Sequence, residues 1–249
     1  MCSKYHALNQ IIASILVNSI YAMINYPVVL INTLLAPLSL LIIVTFASHG
    51  TLLPIAAEGA IIMNVISSGT SLQGDLSHLK NDMKAQEMIV SSPTGAGIYV
   101  TGMAISELVY SIPTLSVLVI LNIIFVKVTY LAGLYICMDV GVVSIFCRSL
   151  GFLLSTFSSD IVESWAFSGI LSPLLATIPP VYYPISYIPY PYRYLAYLSP
   201  TTYAAEIAQS AAGLVYISYV NLILAWGILI SVTFFVLFIA ITRSRWVDV

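Results

Sequence analysis

The chain has 249 residues, and only 18 of them carry a formal charge: 8 lysines and arginines, and 10 aspartates and glutamates. The charged fraction is 7%, against roughly 25% in an ordinary soluble domain, while hydrophobic residues make up 60%. Such a composition cannot cover a water-soluble particle with polar surface, so it excludes a soluble enzyme, a disordered chain and a nucleic-acid-binding protein.

Long charge-free runs indicate several membrane-spanning helices. No Lys, Arg, Asp or Glu occurs in residues 5–57, 164–192 or 207–242. A single spanning helix needs about 20 apolar residues, so these runs hold several spans and their turns. We therefore predict an all-α polytopic membrane protein that forms one transmembrane domain over residues 1–249, in contact with membrane lipid.

The first predicted element is an amphipathic helix over residues 8–25. Its polar side chains recur every three or four residues, which places them on one helical face: Gln10, Ser14, Asn18, Tyr21 and Asn25. This pattern is typical of a helix that lies in the membrane interface, and Pro27 ends it. The alternative is an additional span whose polar stripe packs against a neighbour.

Six further stretches predict transmembrane helices, at residues 28–47, 55–72, 98–126, 130–157, 164–184 and 219–242. The second span is rich in small residues such as Gly59 and Gly69, which let helices approach closely. Six spans place both termini on one side of the membrane. Lys and Arg mark the cytoplasmic side, and six of the eight fall on the side of the termini: Lys4, Lys80, Lys84, Arg148, Arg243 and Arg245. We expect a multi-pass protein of the plasma membrane with both termini in the cytoplasm.

The only long polar stretch, residues 74–97, joins the second and third spans. It contains a dense group of charges, namely Asp75, Lys80, Asp82, Lys84 and Glu87. Ser77 is a candidate N-cap for a short helix in this stretch, and Leu79 and Met83 contribute to its apolar side.

The segment before the last span, residues 179–203, combines six prolines with eight of the chain's 17 tyrosines. Proline at this density forbids one continuous helix, and tyrosine favours the headgroup level of a bilayer. The pattern indicates a broken, re-entrant element that dips into the membrane and returns. A tyrosine-rich interfacial loop that only anchors the chain is the alternative.

Carboxylates inside a span are functional candidates because their burial is expensive. Glu107 lies in the third span and Asp139 in the fourth, whereas Glu58 is expected near the turn at Pro54 and not buried. Arg148 follows Asp139 on nearly the opposite helical face, so we do not expect the two to pair. Glu107 and Asp139 either belong to a transport pathway or are neutral groups that bond to neighbouring helices.

The sequence contains no pattern for catalysis or for a bound cofactor. The three cysteines and three histidines are scattered without metal-ligand spacing, and no GxxxxGK[ST] phosphate loop is present. We expect a chain that is not an enzyme and that binds no metal, cofactor or nucleic acid.

The layout resembles the transmembrane permease subunit of a type-2 ABC exporter. The resemblance rests on the helix before six spans, on the polar segment from Gly74 through Pro93 with Gly102 after it, and on a motif near the last span. That motif, Leu198-Ser-Pro-Thr-Thr-Tyr203 followed by Glu206, is similar to the Asn-Pro-Leu-Thr-Tyr…Glu signature of the family, with Ser in place of Asn.

The resemblance implies ATP-driven export of a hydrophobic or amphipathic molecule such as a drug, antibiotic or lipid. It implies separate ABC ATPase subunits, which hold ATP and Mg, and a second permease copy in a homodimer or heterodimer. Implied ATPase-coupling residues are Asp75, Leu79, Lys80, Asp82, Met83, Lys84 and Glu87. The candidate pathway or intramembrane polar residues, taken from their charge inside the spans and not from the resemblance, are Glu107, Asp139 and Arg148. An exit hairpin is implied at Tyr182, Tyr183, Tyr187, Tyr190, Tyr203 and Glu206.

Two alternatives belong to other functional classes. One is a proton-coupled secondary transporter that uses Asp139 and Glu107 as proton sites. The other is a membrane scaffold that transports nothing and binds partner helices through the small residues of the second span.

Overall fold

The computed structural model describes residues 2–81, 96–126, 128–158 and 160–243, and this part of the chain forms helices and turns without β-strands. The N-terminal helices are α1 (Cys2–Ile15), a π-helical turn (Leu16–Tyr21) and α2 (Ala22–Asn25). Four long helices follow: α3 (Pro27–Ala47), α4 (Leu53–Asn81), α5 (Ala96–Phe125) and α6 (Tyr130–Phe157). The remaining elements are α7 (Ile161–Ala176), a 3-10 turn (Ile185–Tyr187), α8 (Arg193–Tyr197), α9 (Pro200–Ala211) and α10 (Tyr219–Arg243).

Within the described residues, six helical segments are long and apolar enough to cross a membrane: Leu8–Asn25, Leu30–Ala47, Leu53–Ser77, Thr101–Phe125, Tyr130–Phe157 and Tyr219–Thr242. The fold is therefore that of an all-α polytopic membrane protein, as the composition predicts. The set of six differs from the predicted set, because it includes the N-terminal stretch and lacks the stretch at residues 164–184.

The fifth hydrophobic stretch forms a shorter helix than the sequence predicts. Helix α7 has 16 residues and ends at Ala176, and turns follow at Pro179 and Pro180. Two consecutive prolines remove two backbone donors and disfavour helix in the residue before them. A continuous span over residues 164–184 is therefore not formed, and the break that was expected near residue 179 begins directly after α7.

Helix α4 is the centre of the bundle. Over an 18-residue stretch of its candidate span 83% of the residues are buried, against 6–39% over the matching stretches of the other five candidate spans. Helices α3, α5, α6, α7 and α9 all pack against it. Glycine permits the closest crossing: a Cβ added at Gly69 would overlap Cys147 on α6, and one added at Gly151 would lie 2.5 Å from the Gly69 carbonyl oxygen. This confirms that small residues let the second span approach its neighbours.

Helix α4 also continues beyond its predicted end at Leu72 and reaches Asn81. Leu72 and Leu76 are buried against Met103 of α5, so packing extends the helix through the start of the polar stretch. Ser77 is buried inside α4, and the expectation that it caps a separate helix is wrong. The rest of the predicted short helix falls on residues 82–95, outside the described residues.

The N-terminal helix crosses α5 close to the end where α5 begins. A Cβ added at Gly102 would touch Ile11 and Ser14, Ser14 Oγ lies 3.3 Å from Ser106 Oγ, and Ser19 Oγ donates to the Ser106 carbonyl oxygen. The N-terminal helix therefore packs against α5 over much of its length, with Ser14 of its polar stripe in the contact. Its residues Leu8–Asn25 are also long and apolar enough to cross a membrane, which favours the alternative of an additional span whose polar stripe packs against a neighbour; an interfacial position stays a prediction.

Candidate functional site

The first polar site joins α4, α5 and α6 around Glu107 and Arg148, and we call it the Glu107–Arg148 cluster. Both side chains are buried. Ser71 Oγ donates to Glu107 Oε2 at 3.3 Å, and Arg148 Nη2 donates to Ser68 Oγ at 3.2 Å. Arg148 Nη1 donates to the Ser144 side chain and, at 3.2 Å, to the Ser144 carbonyl oxygen.

Asp75 adds a second carboxyl to this cluster, next to Glu107. The guanidinium of Arg148 is close enough to act on Glu107 electrostatically. A buried charge is tolerated when an opposite charge and hydrogen bonds compensate it. Two carboxyls beside one guanidinium can therefore be accommodated if they share a proton. The structure thus brings together Glu107 and Arg148, two predicted pathway residues, with Asp75, a predicted coupling residue.

The second polar site is an acidic pair formed by Glu58 of α4 and Asp139 of α6, with Asn122 of α5 beside Glu58. Glu58 is 1% exposed and Asp139 0% exposed. No hydrogen bond of ordinary geometry reaches either carboxyl from the residues that the structure describes, and the same holds for Nδ2 of Asn122. The pair lies about nine residues along α6 from Arg148, roughly 13 Å.

Glu58 is a candidate that the sequence missed. Its expected exposure near the turn at Pro54 is wrong, because α4 begins at Leu53 and its first turns are already enclosed by α3, α5 and α6. The signal that was available is that Glu58 alone interrupts a long charge-free stretch. Asp139 and Arg148 do not pair, as expected, but the reason is their separation along α6: both reach α4, where Asp139 lies beside Glu58 and Arg148 bonds to Ser68.

The proline- and tyrosine-rich segment enters the core at its start and is exposed further on. A Cβ added at Gly59 would overlap the Val181 carbonyl, and Tyr182 Oη donates to the Pro37 carbonyl oxygen at 3.3 Å. Tyr182 is therefore a buried anchor of the segment. Tyr187 and Tyr190 are 63% and 70% exposed.

Tyr203 and Glu206 lie on α9 and line a cleft of about 490 Å³ at the start of α10. Tyr197 Oη donates to Glu206 Oε1 at 3.0 Å, and Tyr203 Oη donates to the Tyr197 carbonyl oxygen at 2.9 Å. Partial burial raises the pKa of the Glu206 carboxyl above its usual range. Burial and the nearby Glu206 carboxyl raise the pKa of Tyr197 to about 12. The remaining hairpin residue, Tyr183, lines a second, separate cleft with Tyr187.

The predicted coupling residues divide between described and undescribed parts of the chain. Asp75, Leu79 and Lys80 lie on the last turns of α4. Asp82, Met83, Lys84 and Glu87 lie outside the described residues.

Among the residues that the structure describes, no group of three or more His, Cys, Asp or Glu side chains is arranged to hold a metal ion. Comparison with protein-family models and with curated protein sequences found no match.

Proposed function

We propose that this chain is the permease subunit of a type-2 ABC exporter in the plasma membrane, with both termini in the cytoplasm. The observation that carries the proposal is the course of α4. Its last turns bear Asp75 and Lys80 of the charged stretch, and its first turns hold the proline- and tyrosine-rich segment at Gly59 and Val181. One central helix therefore connects the surface where an ATPase would dock with the element that would form the exit.

The mechanism follows from this arrangement. Closure of two ATPase subunits would push on the charged stretch between α4 and α5, and α4 would transmit the displacement because it is continuous and packed on most sides. Packed interfaces respond to such a push by shifting between discrete arrangements. The α4–α6 crossing at Gly69 and Gly151 is a close contact, in which α4 backbone lies against α6 backbone and the Cys147 side chain, so a shift of one helix would be passed to the other. ATP and Mg would belong to the partner subunits.

Further support comes from the two ends of the sequence. The N-terminal helix packs on α5, where Ser14 and Ser19 meet Ser106, so a helix that precedes the first predicted span is joined to the bundle. The motif that begins at Leu198 forms the start of α9, whose N-terminal Pro200 has the fixed backbone angle that suits a first helical turn. Glu206 of the same motif faces a cleft beside the last span.

Co-purification with candidate ATPase subunits tests the proposal. We expect a stable complex with the native chain and its loss when Lys80, Asp82, Lys84 and Glu87 are all replaced by alanine. Replacement of Asp160 and Glu163 by alanine is the matched control, because these charges lie in the other turn on the predicted cytoplasmic side. If no ATPase binds the native chain, or if the fourfold variant binds as well as the native chain, the proposal fails.

The buried acidic pair favours a second candidate function, a proton-coupled secondary transporter. Glu58 and Asp139 are enclosed and close to one another, which is the environment of a proton site in a membrane. This function predicts uptake into vesicles that is driven by a proton gradient in the absence of any ATPase. It also predicts loss of that uptake in Asp139→Asn; unchanged uptake in Asp139→Asn and Glu107→Gln would exclude it.

A further inference from the structure

The cleft between α9 and the start of α10 has the size and shape of a small-molecule site. Its volume of about 490 Å³ falls within the roughly 300–1,000 Å³ that is usual for pockets that bind drug-sized molecules. The chain around the 3-10 turn forms one wall, α9 a second and α10 a third.

The polar wall of the cleft is negatively charged. Of the residues that line it, all of them in the described part of the chain, only Glu206 carries a formal charge. The nearest arginine, Arg193, donates through Nε to the Ile188 carbonyl oxygen at 2.8 Å and through Nη2 to the Ser186 carbonyl oxygen at 2.9 Å. The guanidinium is thus bound to backbone, and the carboxylate of Glu206 is left to face the cleft with the Tyr197 hydroxyl as its partner.

Aromatic rings flank that carboxylate. The ring centroids of Tyr197 and Tyr203 are 5.8 Å apart, and both rings line the cleft with Tyr216. The face of an aromatic ring attracts a cation, by about 0.5–1 kcal/mol at an exposed site and more when the cation is desolvated. The aromatic rings and the Glu206 carboxylate therefore both favour a positively charged group in a ligand.

The opposite wall is apolar. It consists mainly of apolar side chains on one face of α10, where Leu224, Ala225 and Ile228 follow Asn221 at helical spacing. A ligand that fills the cleft would place its apolar part against this wall and its charged part towards α9. The cleft is thus complementary to a molecule with two unlike ends.

We infer that this cleft binds an amphipathic organic cation, with the cationic group between Glu206 and the rings of Tyr197 and Tyr203 and the apolar part against α10. The inference deepens the proposed function and rests on it, because it gives the cargo of the permease a chemical class. An anion would face the Glu206 carboxylate, and a neutral molecule would leave that carboxylate without a counter-charge.

The affinity should depend on pH through Glu206. The pKa of this carboxyl is raised by loss of solvent, and the hydrogen bond from Tyr197 opposes the rise. Cation binding needs the ionised carboxylate, so affinity should fall as the pH is lowered through the raised pKa. The other titratable groups near Glu206 are the tyrosines at 197, 203 and 216 and the guanidinium of Arg193.

Equilibrium dialysis of two ions against the purified chain in lipid nanodiscs tests the inference. Tetraphenylphosphonium and tetraphenylborate have nearly the same size and shape and opposite charge, and empty nanodiscs correct for partition into lipid. We expect the cation to bind the native chain and the Glu206→Gln variant to bind it at least tenfold more weakly. Glu163→Gln, which removes the same charge outside the cleft, should bind like the native chain.

A second variant separates the contribution of the aromatic rings from that of the Glu206 charge. Tyr203→Leu retains the charge and removes one ring, so it should weaken binding of the cation severalfold and leave its pH dependence in place. The inference is overturned if both ions bind the native chain equally, which indicates partition by hydrophobicity alone. Equal binding by Glu206→Gln and the native chain would overturn it as well. Because dialysis needs no ATPase, failure here is distinct from failure of the co-purification.

Discussion

The Glu107–Arg148 cluster shows how a single buried cation organises its surroundings. Arg148 reaches Ser68 on α4 and Ser144 on its own helix, and it offsets the charge of Glu107 on α5. Removal of one member of a buried ion pair usually costs more than removal of both, because the remaining charge is left uncompensated. The cluster is therefore an interdependent unit that ties three helices together.

Arg148→Gln should lower the stability of the folded chain by about 1–3 kcal/mol, because Ser68 and Ser144 lose a buried hydrogen-bond donor and Glu107 loses the nearby guanidinium. The double variant Arg148→Gln with Glu107→Gln should recover much of that loss, since the uncompensated carboxylate is also removed. Thermal unfolding of both variants in the same detergent measures the difference. A double variant no more stable than Arg148→Gln alone would show that the two side chains do not depend on each other.

Sequence patterns alone identify most of the buried charged residues in these sites, but not how they group. Glu107, Asp139 and Arg148 stand out because they are charged positions inside apolar stretches, and all three are buried. Their grouping could not be predicted, because it depends on which helices are neighbours and on their register: Arg148 meets Ser68 of α4 and lies near Glu107 of α5, whereas Asp139 meets Glu58 in the first turns of α4. Glu58 itself was misplaced, since the enclosure of a helix end is a property of the surrounding helices.

At the scale of elements, helix packing and proline decide where each helix ends. The prolines at 179 and 180 predict a break, and α7 ends just before them. No comparable signal marks the extension of α4 past Leu72, where burial of Leu76 against α5 carries the helix into a polar stretch. Sequence patterns therefore locate a helix end that depends on local backbone chemistry, and they miss an extension that depends on tertiary contacts.

The closest crossing, between α4 and α6, leads to a prediction about glycine. Gly69→Ala should destabilise the fold by about 1–3 kcal/mol, because the new methyl group overlaps Cys147 and the helices must separate. Gly141→Ala is the matched control, since it lies inside α6 and its Cβ would meet nothing within 4 Å. Alanine there should be neutral or stabilising by about 0.5–1 kcal/mol. Thermal midpoints in one detergent compare the two, and equal midpoints would contradict the close crossing.

At the scale of the whole molecule, composition predicts the class of fold, and the position of α4 supports the proposed coupling between an ATPase and the cleft at Glu206. Seven per cent charge and long apolar runs indicate a polytopic helical protein, and six helical segments of spanning length form within the described residues. The central place of α4 was not predictable, because every span is apolar and only packing distinguishes the enclosed one. That central place is the basis for treating α4 as the link between an ATPase and the cleft at Glu206.

ATP hydrolysis by a candidate ATPase, assembled with this chain in lipid nanodiscs, tests that link most directly. The account predicts that the native chain changes the rate of hydrolysis severalfold relative to the ATPase alone. It also predicts that the fourfold alanine variant at Lys80, Asp82, Lys84 and Glu87 abolishes the change, whereas alanine at Asp160 and Glu163 does not. A rate that is the same with the native chain, with the fourfold variant and with no permease would contradict it.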